Sequence, residues 1–382
     1  MAERVRVMRL WTWIILVAAV SALTGCGNFF VAPDNGGSGG GTNNGNRVYV
    51  ANSDTKTPAN STIAGFTVGP GTLTAVPSSP FTLGYAPTTM VTTPTNTFLY
   101  VAGPGAIYVY TINADGSLSA SSGGAAAAIV NVAALDVSPD GNWLFGLDTV
   151  STVVDQFQIN QSNGSLAVVA ATPYSVTGTV VPKAIRVSPN GALVFAALGT
   201  GGDVIFTLNT TTGALVSSAT LAVSATTSDN GLAIDSTTSF LYIARSGTGS
   251  GVAVFKIGAA GTLVSVTGSP FTAGTGPTAV VLDSTGKYVY VANRTDGNIS
   301  GFAIGTGAAL TSVTGSPFAS GTQVASLGID QSGKYLLAAS IGGSPDLAMY
   351  SFDAATAGKL DLATSTATGT GTSNAVALAL TH

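Results

Sequence analysis

An all-β chain folded as a seven-bladed β-propeller is what the sequence predicts, on three observations. A strand-forming stretch recurs at near-constant spacing, each copy is followed by further alternating strands separated by turns, and an apolar run at 374–380 finds a partner only in the first repeat. The clearest copy is Asp283-Ser-Thr-Gly-Lys-Tyr-Val-Tyr-Val-Ala-Asn293, a tight turn leading into a β-branched and aromatic strand.

Two segments precede the repeats. The 382 residues are 45% hydrophobic and 8% charged, with mean hydropathy +0.44. Arg4, Arg6 and Arg9 lead into an apolar segment, Leu10 to Ala22, of signal-peptide length and short for a membrane span. Leu23-Thr-Gly-Cys26 then resembles the bacterial lipobox, which implies that 1–25 is a lipoprotein signal peptide and that Cys26 is lipidated. The membrane is thus an expected partner, reached through acyl chains on Cys26. Gly27, where retention in the inner membrane would call for Asp, implies by resemblance to Gram-negative lipoproteins the outer membrane of the cell envelope. Cys26 is the one cysteine, so intrachain disulfides are excluded. Residues 26–46 are Gly/Asn-rich, lack the apolar surface to order themselves, and read as a flexible tether reaching ~25 Å.

The propeller is assigned to 47–382. Residues 49, 100, 145, 195, 242, 290 and 337 occupy one position in seven strand copies, with spacings of 51, 45, 50, 47, 48 and 47. An apolar strand ending in a turn precedes most copies, as in Leu135-Asp-Val-Ser-Pro-Asp-Gly141 and Ile185-Arg-Val-Ser-Pro-Asn-Gly191. An alternating third strand follows each, such as Val153-Val-Asp-Gln-Phe-Gln-Ile159, then a Gly-x-Leu turn and an outer strand expected to end in Ser-Pro-Phe (Ser79, Ser269, Ser316). The first repeat lacks its inner strand. Asn374-Ala-Val-Ala-Leu-Ala-Leu380 supplies it, which joins both ends of the chain in one blade and removes free edges.

Charge and composition exclude several function classes. Loss of 1–25 removes three of the 13 basic residues and Glu3 from the 17 acidic ones, leaving ten, sixteen and a balance of −6. No basic tract remains, so nucleic acid is not an expected partner. Glu3 is the one Glu and His382 the one His, a poor set for acid–base catalysis. No Asp-x-Asp-x-Asp loop, Walker loop, His-Glu-x-x-His or Cys pair occurs, and neither metal nor cofactor is expected.

Candidate site residues are departures from the repeat. At the exit of the second strand stand Asn52, Gly103, Asp148, Leu198, Arg245, Asn293 and Ser340, with Arg294 and Asp296 just beyond. A polar ring there suits a small polar ligand, although each residue can equally be a solvated loop residue or an Asx turn. In the inner strands, Asp136 and Arg186 share one position in neighbouring blades where Val91, Ala233, Val281 and Gly328 stand elsewhere. They read first as a buried, register-fixing ion pair, and second as an Arg shown to an anionic ligand in the channel with Lys183 nearby.

The strand Tyr288-Val-Tyr-Val-Ala-Asn-Arg294, the turn Asp283-Ser-Thr-Gly286, and the later Gly-x-Leu and Ser-Pro-Phe resemble the YVTN-repeat and lactonase-like seven-bladed propellers over 47–382. That family includes 6-phosphogluconolactonases, carboxy-muconate cyclases and many surface proteins. The resemblance implies His, Glu and Arg around the channel mouth of its enzymes. Here the propeller offers no Glu and no His in those roles. The expectation is therefore a cell-envelope propeller lipoprotein presenting a binding or scaffold face, partnered by an envelope protein or a small polar ligand. The alternative is a lactonase-type hydrolase in which Arg186, Arg245 or Arg294 holds an anionic group and an Asp activates water.

Overall fold

The computed structural model describes residues 45–343, 345–369 and 373–382. The signal segment 1–25, Cys26 and the tether up to residue 44 lie outside the described residues.

Strand-forming and turn-forming stretches alternate along 45–382, and the chain forms seven antiparallel sheets, each a blade. In the sixth blade the inner strand Pro277–Leu282 pairs with Tyr288–Asn293, then Asn298–Ile304, then the outer Leu310–Ser312. The first blade is closed as expected: Asn374–Leu380 pairs antiparallel with Arg47–Ser53, Val48 opposite Leu380 and Asn52 opposite Ala375. The two ends also touch, since Thr381 Oγ1 donates to the Gly45 carbonyl at 2.8 Å and accepts from the Arg47 N–H at 2.8 Å.

Turn chemistry explains why the repeat begins with Asp or Ser. In the fifth to seventh blades the turn Asp accepts the first N–H groups of the next strand: Asp283 takes Lys287 N at 2.8 Å and Tyr288 N at 2.7 Å. A hydroxyl does this in the third and fourth blades, where Ser138 and Ser188 accept from Trp143 N and Leu193 N, each at 2.9 Å.

The core is a ring of seams. Each blade packs its second and third strands on those of the next blade, as in the cluster of Tyr290, Ile299 and Phe318 with Leu336, Ala338 and Tyr350. The side chains of Tyr49, Tyr100, Tyr242 and Tyr290, all at the aligned position of the repeat, are at most 1% exposed. Burying such rings supplies ~2–3 kcal/mol each before entropy is counted.

The outer strand differs from expectation in the first and sixth blades. It stops before Ser-Pro-Phe, and the Phe then rejoins the third strand as a second short piece, Phe81–Thr82 and Phe318–Ala319. The motif serine fills the break. Ser79, Ser269 and Ser316 accept from the backbone N–H of Gly65, Val254 and Gly301 at 3.0, 2.8 and 2.9 Å. A polar N–H that would otherwise be stranded where the edge parts is thereby satisfied.

Candidate functional site: the central channel

The inner strands of all seven blades surround a channel with a cavity of about 450 Å³. Its wall is mostly small and aliphatic, with Ala134, Leu232, Val280 and Leu378 typical of it. Among the described residues four titratable side chains line it: Asp136, Lys183, Arg186 and His382.

Asp136 and Arg186 meet across neighbouring inner strands, but not as a buried pair. Arg186 Nη1 stands 3.9 Å from Asp136 Oδ1, with side-chain exposures of 49% and 17%. The Arg186 side chain stays half exposed, which keeps its charge hydrated, and its Nη1 donates to the Ile185 carbonyl at 3.1 Å. Asp136 is held by the neighbouring blade instead: its Oδ2 accepts the Val187 N–H at 2.7 Å. Burial raises the Asp136 carboxyl above its ordinary range, and Arg186 and the Val187 N–H act against that shift. One oxygen is therefore fixed and the other faces the channel beside a cation.

Lys183 lines the same wall just before the strand Ala184–Val187 that carries Arg186, three residues or roughly 10 Å of extended chain away. His382 enters from the first blade. Its Nε2 lies 3.2 Å from Thr92 Oγ1, its N–H donates to Asn96 Oδ1 at 2.8 Å, and its carbonyl accepts from Asn96 Nδ2 at 2.8 Å and from Gln331 Nε2. Partial loss of hydration at the rim lowers its pKa, and Thr92 acts against that shift. Sequence composition discounted this histidine. The signal that places it was present, because a closing strand at 374–380 must set the next residues at the channel rim.

The second-strand exits do not line the channel; they are tied up chiefly within their own blades. Asp148 Oδ1 caps its own loop, accepting Val150 N at 2.7 Å and also Ser151 N. Arg245 is bidentate to the fully buried Asp229, at 2.6 and 2.7 Å. Asn293 is buried and donates to Asn298 Oδ1 and Ser300 Oγ at 2.7 and 2.8 Å. Asp296 accepts the Thr275 N–H at 2.7 Å, and Arg294 is exposed, 3.2 Å from Gln323 Oε1. Among the described residues no group of three or more His, Cys, Asp or Glu side chains is placed to hold a metal.

Comparison with known proteins agrees with this architecture. Two putative 6-phosphogluconolactonases superpose on the chain: one from Bacteroides fragilis at 18% identity and TM-score 0.71, covering 90% of this chain and 100% of its own, and one from Bacteroides uniformis at 19% and 0.72, covering 88% and 99%. The periplasmic gluconolactonase of Pseudomonas aeruginosa aligns at 17% identity and TM-score 0.64, covering 88% and 99%. At such identities the likeness is one of fold. No curated protein matches the sequence. The family model "Lactonase, 7-bladed beta-propeller" matches residues 121–228, 217–316 and 244–377, more than half of the sequence, and the chain belongs to that family.

Proposed function

We propose that the protein takes a small anionic lactone into its central channel and hydrolyses it. The observation that carries this reading is the Asp136–Arg186 arrangement. A gap of 3.9 Å is too long for a direct hydrogen bond, and an oxygen atom of a bound molecule seated beside it can bond to both groups at once. Lys183 and Arg186 attract the anion. The Asp136 oxygen facing the channel takes a proton from water as that water attacks the lactone carbonyl carbon. The guanidinium stabilises the charge that develops on the carbonyl oxygen. The ring C–O bond then breaks, the leaving oxygen takes up the proton, and an open hydroxy acid remains. A carboxyl raised by burial is a better base for this step than one in water. Family membership supports the substrate class.

A second reading, ligand binding without turnover, is favoured by the sparse lining, in which Asp136 is the one carboxylate among the described residues. Incubating the purified protein with aldonolactones, phosphorylated and plain, and following acid release separates the two. Saturable turnover lost in Arg186→Ala supports hydrolysis, binding with no acid release supports the second reading, and neither binding nor turnover sinks both. In either case the protein works at the cell envelope, anchored by lipid on Cys26. A Cys26→Ser variant found in the membrane fraction as abundantly as the parent would refute that anchor.

A further inference from the structure

The seam between the fourth and fifth blades encloses two carboxyls and one guanidinium. Asp229, on the inner strand Thr227–Ile234, is 0% exposed and has both oxygens bonded to Arg245, Oδ1 to Nε at 2.6 Å and Oδ2 to Nη2 at 2.7 Å. The Arg245 side chain is 14% exposed and lies 5.9 Å from the centre of the Phe255 ring. One cation thus fully serves one carboxylate. Asp203 opens the third strand of the fourth blade, Asp203–Leu208. It is 1% exposed, and as an ionised group neither of its oxygens has a hydrogen-bond donor. Within its own blade it stands opposite Ala197 and Leu221. The charged groups that act on it are Asp229 and Arg245, from the inner and second strands of the next blade, and the blades are joined here by backbone hydrogen bonds, Gly199 N–H to the Asp229 carbonyl at 3.2 Å and Asp229 N–H to the Gly199 carbonyl at 3.3 Å.

Two buried anions served by one cation leave an uncompensated charge out of water, which is costly. A proton on Asp203 removes that charge and supplies the missing donor. We propose that Asp203 is held as the neutral acid, donating to Asp229, and that the seam is a pH-sensitive latch, tight in acid and loosened as the medium turns alkaline. Burial first, and then the Asp229 carboxylate, raise the Asp203 carboxyl well above its ordinary range, while Arg245 acts to lower it. The folded state therefore keeps a proton that the unfolded chain loses at about pH 4. Its stabilisation is complete below that pH and is lost as pH rises through the folded value. The latch bears on the channel wall: Asn230, next to Asp229, lines the channel, and its Nδ2 donates to Ser246 Oγ and the Pro277 carbonyl, each at 2.9 Å.

The test is the thermal midpoint of the full chain between about pH 4 and about pH 9. The parent midpoint falls as pH rises. Asp203→Asn keeps a donor towards Asp229 without ionising, flattens that fall and raises the alkaline midpoint by about 2–4 °C. Arg245→Met removes the cation and steepens the fall. Parallel curves for the parent and Asp203→Asn overturn the proposal, as does an Asp203→Asn protein that is folded yet less stable at alkaline pH. If Asp203→Asn does not fold, Arg245→Met decides, and a slope no steeper than the parent's overturns the latch.

Discussion

The hydroxyl of Tyr290 donates to the carbonyl of Gly358 at 2.7 Å, joining the sixth blade to the seventh. Tyr49 to Gly116 and Tyr100 to Gly164 repeat the contact at 2.9 and 2.8 Å. The tyrosine of the recurring strand and the glycine of the Gly-x-Leu turn are thus two halves of one inter-blade bond. Gly358 has φ +78°, and a Cβ there would meet the Tyr288 ring at 2.4 Å. Tyr290→Phe is expected to cost about 1 kcal/mol and Gly358→Ala about 1–3 kcal/mol, read by chemical denaturation. An unchanged midpoint for Gly358→Ala would contradict this account of the turn.

Arg186→Ala and Asp136→Asn separate binding from chemistry. Arg186→Ala should raise KM and lower kcat together, because the guanidinium meets both the anion and the developing oxyanion. Asp136→Asn should lower kcat by about 100-fold or more with little change in KM. Steady-state kinetics on the preferred lactone checks both, and an active Asp136→Asn protein removes Asp136 as the base.

Deleting 374–382 should abolish cooperative folding. The inner strand of the first blade would be lost, the edge of Arg47–Ser53 exposed, and the seam between the seventh and first blades emptied of Ala375 and Leu378. Circular dichroism and a thermal melt report the outcome, and a melt like that of the parent would disprove the closure.

Asp155 gives a pH dependence in the third blade. Burial, then the nearby Asp148 carboxylate, push its carboxyl up to about 6, and its Oδ2 is buried without a partner. Because the folded value is raised, stability is complete below about pH 4 and is lost as pH climbs to 6. Asp155→Asn should gain about 2 kcal/mol above pH 6 and almost nothing at about pH 4. Urea melts at the two ends of that range measure it.

The propeller was legible because its signal is a period, and seven weak copies reinforce one another. Asp136 and Arg186 were legible for the same reason, as charges at a position that is otherwise apolar or small. Their exposure was not, since periodicity says which residues face the axis but not how wide the channel is. Arg245 stood out as a charge at a strand exit, whereas its partner Asp229 did not. A register shift between Asp229 and Gly231 breaks the alternation there, and alignment on the turn glycine no longer tells which side chain faces the seam. The split outer strand was hidden too, because rejoining after Ser-Pro-Phe depends on three-dimensional proximity rather than on pattern.

The contact between Thr381 and Gly45 makes the numbering of the blades a matter of where the polypeptide is cut. A short linker from 382 to 45, with new ends opened in the connection between any other two blades, would yield a circular permutant carrying the same seven seams. What such a permutant changes is the blade that must wait for the last-made strand.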